Sequence, residues 1–275
     1  LYPLPSYPAG IGLEAAGEVT AVGDGVNDVA VGNRVAYASP PIGAYAEVRN
    51  LPADRVVKMP DSIDDQTAAA MMLQGMTVQY LIRRTYRVQA GDPILVHAAA
   101  GGVGLIMCQW LKHLGATVIG TVGSDEKADL AKANGCDHTI LYRTEDFLEK
   151  TKEFPEGKGV AAVYDSIGAD TYERSIKALR PLGTIALFGN SSGPVTQLDP
   201  SLLAAGGSLF LTRPSLMHYT ASREDLVNSA EELIDVVSKG IVKISVNQTY
   251  ALKDAVQAHK DLEARKPTGS TVLLP

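Results

Sequence analysis

The sequence contains few residues of the kinds that cross-link a fold through disulfides or bind a metal. It has two cysteines, one tryptophan and five histidines in 275 residues. Two cysteines cannot form a disulfide framework or a four-cysteine zinc site. The net charge of −6 disfavours a surface for nucleic acids. A chain of this length can fold without such cross-links, as one large or two moderate domains.

Long hydrophobic segments suited to a membrane are also scarce. Residues 93–111 carry no Asp, Glu, Lys or Arg, a length close to that of a transmembrane helix. Gly101, Gly102 and Gly104 lie within this segment, and each costs about 1 kcal/mol relative to Ala in a helix. They therefore indicate a break between a buried strand and a helix. The opening LYPLPSYPAG lacks the features of a secretory signal, which with only two thiols favours the cytoplasm.

The pattern of the chain changes near residue 62. Residues 1–60 are rich in Gly, Pro and Val, and strand-like runs at 17–22 and 34–37 predict a compact β domain. Ser62 is a candidate N-cap for a helix. Gly75 is expected to interrupt that helix, and a second helical segment continues to about residue 84.

From residue 93 to residue 214, strands and helices alternate. We predict six strands, at 94–97, 117–122, 138–141, 160–165, 184–188 and 208–212. Helices are predicted at 102–114, 124–134, 169–179, 222–238 and 252–265. The alternation predicts βαβ crossovers, and hence an α/β fold with a doubly wound parallel sheet covered on both faces.

The segment Ala99-Ala100-Gly101-Gly102-Val103-Gly104 follows a strand and opens a helix, as dinucleotide-binding turns do. In this interpretation Gly101 permits a tight turn and Gly102 lets the backbone approach a pyrophosphate. Gly104 lets the helix pack close to the sheet. The free N–H groups of the helix N-terminus would then favour a phosphate. The alternative is a structural turn that binds nothing.

The next strand-to-helix turn bears on which cofactor is bound. Ser124 lies twenty residues after Gly104, where NAD enzymes carry an acidic residue for the ribose 2′-hydroxyl. A small residue there leaves room for a phosphate, and Lys127 can supply charge. This favours NADPH, although Asp125 would repel a 2′-phosphate if it turned inward. Alternatively, Ser124 only caps the helix and Lys127 is solvated.

Six motifs together are far more specific than the glycine turn. They are Gly12-Leu13-Glu14-Ala15-Ala16-Gly17, Val31-Gly32-Asn33-Arg34-Val35, His97 to Gly104, Tyr164-Asp165-Ser166-Ile167-Gly168, Phe188-Gly189-Asn190-Ser191-Ser192-Gly193 and Thr212-Arg213-Pro214-Ser215-Leu216. With them the whole chain resembles the NADPH:quinone oxidoreductases, the zeta-crystallin-like, zinc-free branch of the medium-chain dehydrogenase/reductase superfamily. It looks most like the bacterial members.

The resemblance implies two domains. Residues 1–76 and 216–275 would form a GroES-like substrate domain, and residues 77–215 a Rossmann domain that binds NADPH, with the active site in the cleft. Members of the family carry roughly fifty further residues before the position of Leu1. Either the molecule is a truncated form, with a β domain incomplete at its start and an impaired activity, or further residues precede Leu1.

The resemblance also implies which residues contact the cofactor and the quinone. Those expected at the cofactor are Thr77, Gly101, Gly102, Val103, Gly104, Ser124, Lys127, Tyr142, Ser166, Phe188, Asn190, Ser191 and Arg265. Tyr2 and Asn190 are expected at the quinone pocket. Phe188 and Tyr142 could instead be core aromatics, and Arg265 a cation at a helix end.

Zinc-containing members of the superfamily carry Gly-His-Glu where this chain has Gly12-Leu13-Glu14. They also insert a four-cysteine lobe where this chain has only residues 39–42. We expect no His or Cys to accompany Cys108 or Cys136, and we therefore predict no zinc. The nicotinamide would supply the hydride, and no strong protein acid is needed. We expect His97, beside the glycine turn, to be structural.

Three functions are consistent with these features. The first is transfer of reducing equivalents from NADPH to a quinone, without metal or flavin. The second is NADPH-dependent reduction of enone or enoyl double bonds, and the third is NADPH binding without catalysis. The apolar edge strand at 208–212 favours a homodimer, unless the helix at 222–238 covers it.

Overall fold

The computed structural model describes residues 7–154, 157–264 and 266–275. Its contacts divide the chain into two units, Leu1–Met76 with Tyr219–Pro275, and Thr77–His218. No helix among these described residues is both long enough and apolar enough to cross a membrane.

The first unit begins with a three-stranded antiparallel sheet of β1 (Glu14–Glu18), β2 (Arg34–Ala38) and β3 (Val57–Lys58). Val29, Tyr37 and Val56 form its core. The predicted strand 17–22 had the wrong bounds. The ladder between β1 and β2 pairs only Glu14 to Glu18. Beyond it, two isolated backbone hydrogen bonds join Val19 to Asn33 and Gly32.

The first helix, α1 (Asp65–Tyr80), continues into a π-helical turn, Leu81–Thr85. Asp64 caps its start, because its Oδ1 accepts from the Thr67 N–H at 2.9 Å. The prediction that Ser62 is the cap is wrong. Its hydroxyl instead forms a hydrogen bond with the Ser238 hydroxyl at 3.2 Å.

The prediction that Gly75 interrupts this helix is also wrong, since α1 runs through it without a break. A Cβ at Gly75 would lie 2.6 Å from Cδ2 of Leu233. Glycine is therefore present here to admit the Leu233 side chain. Leu233 is fully buried, so a side chain at position 75 would have to displace it, whereas the glycine costs about 1 kcal/mol in helix propensity.

The second unit is built on a six-stranded sheet whose order is β6-β5-β4-β7-β8-β9, with every pair parallel. The strands are β4 (Pro93–Val96), β5 (Thr117–Val122), β6 (His138–Leu141), β7 (Val160–Asp165), β8 (Leu179–Leu187) and β9 (Phe210–Thr212). The predicted parallel sheet is thus confirmed. β8 begins five residues before its predicted start at residue 184, and β9 is two residues shorter than predicted.

Helices connect these strands. They are α2 (Gly102–His113), α3 (Asp125–Ala133), α4 (Phe147–Glu153), α5 (Tyr172–Lys177) and α6 (Ser201–Ala205). A further short helix, α7 (Leu216–Tyr219), follows β9. The helix predicted at 169–179 is shorter, because β8 already begins at Leu179. The short helices α4, α6 and α7 were not predicted. α4 buries only Phe147 and Thr151.

The chain returns to the first unit with α8 (Arg223–Ser238), β10 (Val246–Ala251), α9 (Ala255–Glu263) and β11 (Ser270–Leu274). β10 and β11 form a parallel pair. The Ser222 hydroxyl caps α8 by accepting from the Asp225 N–H at 3.0 Å. A helix was predicted at 252–265. Its first three residues, Leu252–Asp254, form a 3₁₀ turn instead, so α9 starts later than expected.

Candidate functional site

The strand order of the second unit reverses at one point, and in open α/β sheets such a reversal leaves a crevice at the carboxyl ends of the strands. The chain moves outward from β4 through β5 to β6, then returns to the other side of β4 and continues through β7, β8 and β9. The order therefore reverses between β4 and β7. In open α/β sheets ligands bind outside the carboxyl ends of the strands at such a reversal, and this strand order is that of dinucleotide-binding folds.

The glycine turn lies at this reversal, between β4 and α2. Gly101 is the N-cap residue, with extended backbone and no side-chain cap for the helix. The first intrahelical bond runs from the Leu105 N–H to the Gly101 carbonyl at 2.8 Å. Since no side chain caps them, the first N–H groups of α2 are available to an anion.

Gly101 and Gly104 have different roles in this turn. A Cβ at Gly104 would overlap the carbonyl oxygen of Ala98 and lie 2.7 Å from the carbonyl carbon of Ala99. Gly104 thus allows α2 to pack closely, as predicted. Gly101 closes a tight turn, because its N–H donates to the Ala98 carbonyl at 2.9 Å. Its φ is −80°, and the left-handed residue of the turn is Ala98, at φ 54°.

Ser124 follows β5 and caps α3. Its Oγ accepts from the Lys127 N–H at 3.4 Å and donates to Oε2 of Glu126 at 2.9 Å. Ser124 and Lys127 are half-buried, whereas Asp125 and Glu126 are exposed. The capping role is thus observed, and contact with a 2′-phosphate stays a prediction. The hydrogen bond to Glu126 was not predicted from the sequence.

Tyr142 follows β6 and stands beside the same turn. Its hydroxyl oxygen lies 2.8 Å from the position that a Cβ on Gly123 would occupy. The ring is 48% exposed, so Tyr142 is not a core aromatic. Gly123 therefore leaves the space that the Tyr142 hydroxyl fills at the end of β5.

The turns after β7 and β8 interlock. The Phe188 N–H donates to the Asp165 carbonyl at 2.9 Å, and the Ser191 N–H donates to the Ser166 carbonyl at 3.2 Å. Phe188 and Asn190 are half-buried in the second of these turns, and Ser191 is exposed. Predicted residues from five strands thus lie at the carboxyl edge of one sheet.

The remaining predicted residues do not follow strands of this sheet. Thr77 is half-buried on α1, at the start of the second unit. Tyr2 and Arg265 lie outside the described residues. A groove of about 680 Å³ in the first unit, lined by residues between 15 and 56, contains none of the predicted site residues.

A buried polar network lies under the crevice. The His97 ring forms hydrogen bonds through Nδ1 to the Thr121 hydroxyl and through Nε2 to the Ser175 hydroxyl, both at 2.9 Å. Burial lowers the pKa of His97, so the ring is neutral, in agreement with a structural role. The network also contains Asp165, which belongs to one of the six motifs but was given no role from the sequence. A carboxylate that ends an otherwise apolar strand was the signal that could have revealed it.

Glu14, Cys108 and Cys136 are residues of types that can bind a metal. Oε2 of Glu14 accepts from the Leu73 N–H at 2.7 Å, and burial raises the pKa of Glu14 to about 7. Cys108 and Cys136 are free and buried. Their side chains form a hydrogen bond with each other, so the expectation that no Cys accompanies either of them is wrong. Over residues 7–154, 157–264 and 266–275, no three His, Cys, Asp or Glu side chains converge as metal ligands would.

Comparison with known proteins gives matches along the whole chain. The family "Alcohol dehydrogenase GroES-like domain" matches residues 1–61, and the family "Zinc-binding dehydrogenase" matches residues 102–239. The quinone oxidoreductase of Salmonella typhimurium is 50% identical over 277 residues, covering 100% of this chain and 85% of that protein.

Two further relatives carry the names of two different reductases. The crystal structure of Escherichia coli quinone oxidoreductase complexed with NADPH matches with a TM-score of 0.97 and 48% identity, covering 100% of this chain and 85% of that one. The 2-haloacrylate reductase of a Burkholderia species is 47% identical over 273 residues, covering 98% of this chain and 81% of that protein.

Proposed function

Because the chain belongs to the quinone oxidoreductase family of the medium-chain dehydrogenases and reductases, we propose that it transfers reducing equivalents from NADPH to a quinone. The observation that carries this proposal is the reversal of strand order between β4 and β7. The glycine turn lies beside it and leads into α2, whose N-terminus has no side-chain cap. Residues 77–215 would bind the cofactor, and residues 1–76 with 216–275 would contribute to the substrate pocket.

The residues at the crevice fit a dinucleotide. The first N–H groups of α2, at Gly102, Val103 and Gly104, can bind a pyrophosphate because no side chain occupies them. When bound, NADPH supplies the hydride for the reduction. Thr77 and the turn after β8, with Phe188, Asn190 and Ser191, would hold the nicotinamide end. Ser166 would lie by the adenine, and Arg265 would add a further contact.

The adenosine end would be held by the turns after β5 and β6. Ser124 and Lys127 would bind the 2′-phosphate, and Tyr142 would cover the ribose. The half-buried Lys127 and the small residues at the tip of β5 support this arrangement, because an ammonium group favours a dianionic phosphate over a hydroxyl. NADPH is therefore proposed over NADH.

The reaction is proposed to need neither a metal nor a flavin. Leu13 stands between Gly12 and Glu14, where zinc-containing relatives carry a histidine ligand. A quinone oxygen can take its proton from water, so the protein's part is to orient the two reactants and shield them. Dialysis against a chelator should leave the rate of quinone reduction unchanged, and loss of activity that zinc restores would overturn this part of the proposal.

Reduction of an activated carbon–carbon double bond is a second candidate. It is favoured by the 47% identity to the 2-haloacrylate reductase. A panel of 1,4-benzoquinone, 9,10-phenanthrenequinone, 2-alkenals and 2-chloroacrylate, each with NADPH, separates the candidates. Faster NADPH oxidation with the quinones supports quinone reduction, and faster oxidation with the alkenals or the haloacrylate supports the second candidate. NADPH binding without turnover on any of them would support a non-catalytic protein.

We also propose that the chain forms a homodimer through β9 and acts in the cytoplasm. β9 is an edge strand, and Phe210 on it is 60% exposed. An exposed apolar edge strand favours pairing with a second copy. The two free cysteines suit a reducing compartment. Light scattering that gives the mass of one chain would reject the dimer, and cell fractionation tests the compartment.

A further inference from the structure

We propose that Asp165 is a positioning residue for the cofactor, holding together the turns that follow β4, β7 and β8. The inference rests on the proposed function, because these turns form the same site. Asp165 is the last residue of β7 and is fully buried. It lies beneath the turns and acts through them.

The Asp165 carboxylate accepts hydrogen bonds at both oxygens. Oδ1 accepts from the N–H groups of Ile167 at 2.8 Å and Gly168 at 3.0 Å, which fixes the turn after β7. Oδ2 accepts from the hydroxyls of Thr171 at 2.8 Å and Ser175 at 3.0 Å. One side chain therefore joins the end of the strand, the turn and the beginning of α5.

His97 extends this connection to the glycine turn. Ser175 has one hydroxyl proton, and it donates that proton to Asp165. Ser175 must then accept from Nε2–H of His97, and Nδ1 of His97 accepts from the Thr121 hydroxyl. The hydrogen bonds thus run in one direction, from Thr121 through His97 and Ser175 to Asp165. Because His97 directly precedes Ala98, the network also fixes the start of the glycine turn.

The turn after β7 in turn sets the turn after β8. The Ser166 carbonyl accepts from the Ser191 N–H at 3.2 Å, and the Ile167 carbonyl accepts from the Ser192 N–H at 2.9 Å. The second turn carries the three residues proposed to line the nicotinamide end. A shift in the turn that Asp165 anchors would therefore move both ends of the proposed cofactor site.

Stability alone does not explain such a network. His97, Thr121, Asp165 and Ser175 are each at most 2% exposed, and buried polar groups are costly unless they are hydrogen-bonded. Apolar side chains of similar volume often stabilise a core equally well. The network supplies a fixed geometry at the carboxyl ends of three strands, and that is what a preorganised binding site requires.

Asp165→Asn tests the inference, because the amide keeps the shape. Its oxygen can still accept from the turn, but its NH₂ group cannot accept from Thr171 and Ser175. We expect the Kd and KM for NADPH to rise by about tenfold to a hundredfold. The kcat at saturating NADPH should fall by less than about threefold. This split between KM and kcat would not arise from a loss of stability alone.

The matched control is Asp92→Asn. Asp92 is also buried, at 7% exposure, and precedes β4 at the opposite edge of the same sheet. It accepts from the Tyr86 hydroxyl and the Gln89 N–H, both at 2.9 Å. This variant should lose thermal stability while keeping the Kd for NADPH within about twofold of the wild type.

A thermal shift in Asp165→Asn with a Kd within about twofold of wild type would overturn the inference. If Asp165→Asn does not fold, Thr171→Val removes one donor to the same carboxylate without changing the size of the side chain. A rise of about threefold to tenfold in its Kd supports the inference, and an unchanged Kd overturns it. Failure of the wild-type chain to bind NADPH would instead overturn the proposed function itself.

Discussion

The Ser124 hydroxyl donates its proton to the Glu126 carboxylate, with Oγ and Oε2 2.9 Å apart. A hydroxyl has a single proton, so Ser124 cannot donate to a phosphate while this bond is made. Glu126 also carries the same sign of charge as a 2′-phosphate. The selectivity proposed for this turn therefore depends on the balance between Glu126 and Lys127, both in the first turn of α3.

Glu126→Gln should strengthen NADPH binding. The change removes a negative charge and weakens the bond that occupies the Ser124 hydroxyl, so the Kd for NADPH should fall by about threefold to tenfold. The Kd for NADH should change by less than about twofold, because NADH has no 2′-phosphate. Fluorescence titration at low ionic strength measures both. Asp125→Asn removes the same charge without affecting the Ser124 hydroxyl, and is therefore the control for charge alone. If Glu126→Gln lowered the Kd for NADPH and for NADH equally, the role assigned to this turn would be contradicted.

Lys127→Ala should weaken NADPH binding and leave NADH binding nearly unchanged. Loss of a charge-assisted contact to the phosphate corresponds to about a fivefold to fiftyfold rise in the Kd for NADPH. Lys132→Ala, in the last turn of the same helix, removes a cation of the same kind away from the proposed contact. A similar loss of affinity in both variants would show that Lys127 acts only through long-range charge.

Gly104→Ala and Gly101→Ala should differ sharply. A Cβ at Gly104 would overlap backbone atoms of Ala98 and Ala99, whereas a Cβ at Gly101 would lie 3.2 Å from the Ala98 carbonyl oxygen. We expect Gly104→Ala to lower the free energy of unfolding by about 2–4 kcal/mol and to abolish NADPH binding. Gly101→Ala should cost less than about 1 kcal/mol. Urea denaturation measures both, and equal losses would contradict the close packing of α2.

Glu14 should make the stability of the chain depend on pH. Its folded-state pKa of about 7 lies above the ordinary 4.5, so the folded state binds the proton more tightly than the unfolded state. Stability is therefore lost as the pH rises from about 4.5 to about 7. Relative to Glu14→Gln, the wild type should lose about 1–3 kcal/mol over this range.

Denaturation of the wild type and Glu14→Gln at several pH values measures this difference. Glu18→Gln, at the exposed end of the same strand, should follow the wild type. A difference between wild type and Glu14→Gln that does not change with pH would show that Glu14 titrates normally.

The parallel sheet could be predicted because its signals are local. Val96 ends a short apolar run, and a glycine-rich segment follows at once, so the strand, the turn and the helix can be read from neighbouring residues. The same locality explains why Ser124 was correctly considered as an N-cap. The carboxyl ends of parallel strands share one edge, which brought Ser124, Tyr142 and Ser166 to the same edge of the sheet.

Features that depend on distant residues could not be predicted in this way. Gly75 has the local signature of a helix break, but its role is set by Leu233, which is far away in the sequence. Ala98 adopts a left-handed conformation that alanine rarely adopts, and no sequence pattern marks it. The network around Asp165 joins side chains from three strands and a helix, so only the tertiary structure reveals it.

Titration of the chain with NADPH and with NADH, followed by fluorescence, tests most directly whether the turns after β4 and β5 bind NADPH. We predict saturable binding of NADPH with a Kd at least about tenfold below that of NADH, and oxidation of the bound NADPH when a quinone is added. NADH that binds about tenfold more tightly than NADPH, or the absence of binding by either, would contradict this assignment.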